Sequence, residues 1–88
     1  MKFKFHKVFV KHFDKRIKPQ QNLLQQYITR YQLFIIDRKN PLLNDHQLTG
    51  DLQGKRSFNV TGDIRVVYRQ IESEAMEFLD IGSHNQVY

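Results

Sequence analysis

The first positions alternate lysine and phenylalanine (Lys2, Phe3, Lys4, Phe5). That period of two predicts a short strand over residues 1–5 with one buried face. From Val8 the spacing changes. Phe9, Phe13 and Ile17 recur every four residues, with Val10 beside that row, which predicts a helix over about residues 7–17 with a basic outer face. Pro19 ends it and suits the first position of the next helix. Leu23, Leu24, Tyr27, Ile28, Tyr31, Phe34 and Ile35 then form one helical stripe, placing a second helix at about residues 20–38. The short connection makes the two an αα-hairpin, closed by Asn40-Pro41. Residues 39–55 read as a loop pinned by Leu42, Leu43, Leu48 and Leu52, and a loop of that length in a small domain is usually functional.

Three strands follow. Lys55 to Val60 leads into a tight Thr61-Gly62 turn. Asp63 to Ile71 points Ile64, Val66 and Tyr68 one way and Asp63, Arg65, Val67 and Arg69 the other. Glu72-Ser73-Glu74 turns the chain into Ala75–Ile81, which Gly82 is expected to break. His84 to Tyr88 reads as an edge strand or a single turn. The order β-α-α-β-β-β implies an α+β fold, one domain over residues 1–88, with the helical hairpin packed on one face of a small twisted antiparallel sheet. The opposite face is then polar or a binding surface.

Composition narrows the class. The chain has 88 residues, 40% hydrophobic and 26% charged, which is ordinary for a small globular domain. No cysteine is present, which excludes disulfides, thiolate zinc sites and cysteine nucleophiles and suits a reducing cytoplasm. No apolar run approaches the roughly 20 residues of a membrane span, and the alternating N-terminus lacks a signal-peptide core. The net charge is +5, unevenly spread: residues 1–18 hold seven Lys and Arg against Asp14 alone, while Glu72, Glu74, Glu77 and Asp80 crowd the last hairpin. A small basic protein meets a polyanion, most often nucleic acid, unless its charge serves only solubility.

Strand parity gathers Ser57, Asn59, Asp63, Arg65 and Arg69 on the polar face of the sheet. His46 lies in the long loop and His84 after Gly82. Cleavage of RNA at neutral pH needs a base for the 2′-hydroxyl, an acid for the departing 5′-oxygen and a cation on the phosphate. Histidine serves the first two roles and arginine the third, without a metal. His46, Asp63, His84 and Arg65 are the candidates. On spacing alone, solvated loop histidines and a turn aspartate are the plainer account of the same residues.

The residues carry a resemblance. Asp45-His46-Gln47-Leu48-Thr49-Gly50-Asp51-Leu52-Gln53-Gly54, then Arg56-Ser57-Phe58-Asn59-Val60, Gly62-Asp63-Ile64-Arg65-Val66-Val67-Tyr68 and Ile81-Gly82-Ser83-His84-Asn85-Gln86-Val87-Tyr88, together resemble the RelE/ParE superfamily of bacterial toxin–antitoxin toxins. Within it they are most similar to the YafQ-like ribosome-dependent mRNA interferases. The motif match covers about residues 43–88; the first half agrees in element order and amphipathicity.

The resemblance implies a RelE-like fold, mRNA cleavage in the ribosomal A site by 2′-hydroxyl attack, no metal or other cofactor, and a cytoplasmic location without membrane association. It implies three partners: mRNA, the ribosome, and a cognate antitoxin in a toxin–antitoxin hetero-oligomer. His46 matches a catalytic loop histidine, Asp63 a general base or orienter of the base, His84 a general acid, and Tyr88 a terminal aromatic that stacks on or orients the nucleotide. Arg65 matches a phosphate-contacting arginine, and Arg56 and Arg69 join it as further RNA-binding cations. Asn59 departs from the YafQ pattern, which has histidine there; asparagine can bond a base edge but cannot transfer protons. The resemblance also admits a ParE-like gyrase poison, or an inactive relic that only binds antitoxin.

Overall fold

In the computed structural model, which describes all of residues 1–88, five strands form one sheet in the order β1-β5-β4-β3-β2. The strands are β1 (Lys2–Phe5), β2 (His46–Gln47), β3 (Arg56–Asn59), β4 (Ile64–Glu72) and β5 (Ala75–Ser83), and the helices are α1 (Lys7–Arg16), α2 (Gln21–Ile36) and α3 (His84–Val87). The expected order β-α-α-β-β-β is present, with β2 as an added two-residue strand inside the long loop. The sheet is mixed rather than wholly antiparallel: β1 pairs parallel with β5, Phe3 opposite Met76 and Phe5 opposite Phe78. Parallel neighbours need a long connection, and here it runs through the α1–α2 hairpin and the strands β2 to β4.

The core is aromatic. Phe34 of α2 stacks on Phe58 at 4.7 Å between ring centroids and meets Tyr68 edge-on at 5.0 Å. Phe78 lies at the centre, in contact with Phe3, Phe5, Phe9, Tyr31, Phe34, Phe58 and Tyr68. The predicted inward set (Phe58, Ile64, Val66 and Tyr68) all joins this cluster. The stripe on α2 is only partly used: Tyr27 and Phe34 are buried, whereas Ile28 and Ile35 are exposed.

Helix α1 lies along the edge of β5 that the four-residue β1 leaves open. The His6 N–H donates to the Phe78 carbonyl (2.9 Å), Arg16 Nη1 donates to the Ile81 carbonyl (2.9 Å), and His12 Nδ1 meets Asp80 Oδ1 at 2.6 Å. A helix over an open strand edge occupies groups that would otherwise pair with another chain. His6 and His12 are thus accounted for structurally, His6 also accepting the Val8 N–H at the start of α1.

Gly82 does not break the third meander strand, which continues to Ser83. A Cβ there would come within 2.6 Å of Arg16 Nη1 and 2.7 Å of Gln86 Oε1. Glycine is needed because two side chains cross over it, not because the strand ends. Gly82→Ala is therefore expected to displace both and lose the Arg16–Ile81 and Gln86–Ser83 hydrogen bonds. The cost is about 1–3 kcal/mol, read as a lower urea midpoint at unchanged slope.

After Ser83 the chain makes the single-turn α3, one of the two forms expected, closed by a reciprocal cap between Ser83 and Gln86. It folds back over the outer face of the sheet, burying Val87.

Candidate functional site

Directly opposed residues of neighbouring strands share a face, so the pairing register builds the site. His46 of β2 opposes Ser57 of β3, which opposes Val67 of β4, which opposes Asp80 of β5. The next row on that face is Asn59, Arg65 and Gly82. Helix α3 sits over these rows. The Tyr88 hydroxyl donates to Ser57 Oγ at 2.5 Å, and the His84 and Tyr88 rings meet edge-to-face at 4.6 Å. His46 and His84, 38 positions apart in the chain, thus belong to one surface, with Ser57 and Tyr88 between them.

His46 is half-buried, with Nδ1 at 2.7 Å from the Asn44 carbonyl. A carbonyl only accepts, so Nδ1 carries a proton, and in the neutral imidazole the lone pair that a base requires is then on Nε2. The His84 ring is exposed and makes no hydrogen bond within the chain. Its backbone N–H points at Asp63 Oδ1, 3.5 Å away. Asp63 therefore faces the start of α3 and makes no hydrogen bond or ion pair with either imidazole. Its position suits holding the turn that carries His84.

Arg65 donates to Asn59 Oδ1 (2.5 Å) and to the Gly62 carbonyl (3.3 Å), and its buried Nε has no partner. No carboxylate neutralises it. Glu77 is taken by Arg69 at 2.8 Å, and Asp80 by His12. Asn59 is the side chain that orients this guanidinium.

Two expected cations do not join. Arg69 is half exposed and paired with Glu77, away from the histidines. Arg56 opposes Tyr68 in the register and so lies on the other face, where its Nε donates to Asp45 Oδ1 at 3.0 Å. Local acids pair with both.

Asp45 is the residue that sequence reasoning missed. Its carboxylate is 6% exposed and takes Arg56 Nε, Arg38 Nε (3.4 Å) and the Tyr68 hydroxyl (2.7 Å). The only sequence signal was an aspartate flanking a candidate histidine. Partial burial opposes the charge of Arg56, but its hydrogen bonds with Asp45 and Tyr68 outweigh that and raise its pKa. Burial first, then the hydrogen bond to Asp45, pushes the Tyr68 phenol well above its ordinary 10.0. Burial does the same to Tyr27, with Tyr31 adding to it, and also raises Tyr31 itself. A raised folded-state pKa gives stability that is whole below pH 10 and lost as pH climbs toward the folded value. Urea titrations should show stability flat from pH 8 to about 9.5 and falling beyond pH 10, less steeply in Tyr68→Phe.

A sequence model described as "Bacterial toxin of type II toxin-antitoxin system, YafQ" matches residues 1–88. The chain belongs to the YafQ family of toxins. No curated protein sequence matches it. Among solved structures, YafQ from E. coli strain BL21(DE3) is 20% identical with a TM-score of 0.74, the match covering 98% of this chain and 96% of that one. A YoeB/ParE toxin from Agrobacterium tumefaciens is 19% identical with a TM-score of 0.79, covering 96% and 99%. YafQ in the E. coli DinJ-YafQ toxin-antitoxin complex is 21% identical with a TM-score of 0.71, covering 98% and 94%. At these identities the structural likeness shows the fold, while the full-length sequence match shows the family. No helix of this YafQ-family toxin is long and apolar enough to cross a membrane.

Proposed function

We propose that this YafQ-family toxin is an endoribonuclease that cleaves mRNA in the ribosomal A site by attack of a 2′-hydroxyl on the adjacent phosphate, without a metal. The observation that carries the reading is the shared face of His46 and His84 beside an arginine that no carboxylate neutralises. His46 Nε2 accepts the 2′-hydroxyl proton. The 2′-oxygen bonds to phosphorus as the bond to the 5′-oxygen breaks, leaving a 2′,3′-cyclic phosphate. His84 gives its proton to the departing 5′-oxygen, so the histidines exchange roles without net consumption of protons. Arg65 stabilises the charge that builds on the phosphoryl oxygens. Asp63 holds the turn that carries His84, and the Tyr88 ring packs against that imidazole.

The basic N-terminal region supports binding to ribosomal RNA. Lys7, Lys11 and Lys15 are exposed on one side of α1 and make no ion pairs. E. coli YafQ has been solved with DinJ, and we extend a cognate antitoxin, assembling with the toxin in the cytoplasm, to this chain. An acidic antitoxin segment would be drawn to the same lysines. Primer extension on mRNA after brief induction tests the activity. Cuts in phase with codons are expected. Intact transcripts with accumulating DNA breaks would assign the toxin to gyrase instead.

A further inference from the structure

Below the catalytic face, Arg38 and Arg56 are both fastened by Nε to the single carboxylate of Asp45. Arg38 makes no other hydrogen bond within the chain, and beyond Asp45 Arg56 has only the Tyr68 hydroxyl as a partner. Both line two adjoining polar cavities, about 370 and 470 Å³. Lys39 opens onto the first and Lys55 onto the second, with the amides of Asn40 and Gln53. Asp45 is the only acid in either lining, so four cations stand against one carboxylate that is already shared.

We propose that this trough is a phosphate-binding subsite, holding a backbone phosphate of the RNA strand at least two nucleotides from the cleaved linkage. The forks are preorganised. Asp45 fixes each guanidinium at Nε, and the Nη edges are left as paired donors matched to phosphate oxygens. The path is short, because Asp45 and His46 are consecutive. β2 is only two residues long, with His46 sharing the catalytic face and Gln47 lining the trough. A strand passing His46 can round that edge and meet the forks. The subsite rests on the nuclease reading for its RNA but adds a contact outside the catalytic face, and it gives Arg56 the RNA-binding role expected from sequence at a different place.

The test uses full-length toxin and two non-cleavable 2′-O-methyl RNAs, one of three nucleotides spanning the cut and one of twelve. Arg38→Lys keeps a cation for Asp45 but removes the fork. Lys39→Ala with Lys55→Ala leaves Asp45 and both arginines untouched and decides the matter alone if Arg38→Lys does not fold. Each variant is expected to bind the twelve-nucleotide RNA about tenfold more weakly, and the lysine pair to flatten the salt dependence by about one to two counterions. The three-nucleotide RNA should bind as before. Unchanged affinity for the long RNA in the folded variants overturns the subsite, as does a loss confined to an acidic antitoxin peptide. Wild-type toxin that binds both RNAs but leaves cellular transcripts intact would remove the nuclease reading and leave the subsite standing.

Discussion

Replacing His84 by alanine is expected to lower transcript cleavage by at least about 100-fold, the lower end of what a positioned acid contributes. The protein should stay folded. The His84 ring is exposed, and its only structural contact is the edge of Tyr88, so the urea midpoint should move by no more than about 0.5 kcal/mol equivalent. The two readouts separate chemistry from folding. Single-turnover cleavage on programmed ribosomes gives the first, and denaturation of the purified variant the second. Asp63→Ala should show a smaller fall, because Asp63 acts on the backbone of the turn rather than on the imidazole. A folded His84→Ala protein that cuts at the wild-type rate would end the acid assignment.

The second large effect is on stability. Asp45→Ala should cost about 3–5 kcal/mol, the usual consequence of removing one partner from a buried ionic cluster. Arg38 and Arg56 would face each other with no counter-charge, and the Tyr68 hydroxyl would lose its acceptor inside the core. A domain of this size has only about 4–13 kcal/mol of stability to lose. Activity should fall with the fold, since Asp45 anchors the loop that carries His46. Asp45→Asn keeps an acceptor for Tyr68 and should fall between alanine and wild type. Urea unfolding at pH 7 gives the ranking. An alanine variant within about 1 kcal/mol of wild type would mean that the loop is held elsewhere, by the buried Leu43 for instance.

The same cluster bears on the long loop as a whole. Residues 39–55 are neither mobile tail nor regular element but a chain of small devices. Asn40 caps a short 3-10 turn at Pro41–Leu43, Asn44 takes the left-handed conformation (φ 47°), and Asp45 plugs into the arginines. Asparagine tolerates positive φ better than most residues. That turn sets the direction in which His46 enters β2, so the candidate base depends on residues with no chemistry of their own.

Local patterning was enough for the elements and for one face of the sheet. Alternation in residues 2–5, the four-residue spacing of Phe9, Phe13 and Ile17, and the parity of Ile64, Val66 and Tyr68 are short-range signals. Each is set by the geometry of one helix or strand, and the structure has them where that geometry puts them. The motifs of residues 43–88 likewise pointed to the toxin family that the whole chain matches. Four matters needed the tertiary structure. Pairing decided that β1 runs parallel to β5. The crossing of Arg16 and Gln86 explained Gly82. The fold-back of α3 brought Tyr88 onto Ser57 and so His84 toward His46. Strand register set Arg56 on the opposite face, Glu77 paired Arg69, and Arg65 kept no carboxylate partner. Most of these are contacts between residues far apart in the chain. Their partners depend on how elements dock, and one sequence carries no period or spacing from which that docking can be read.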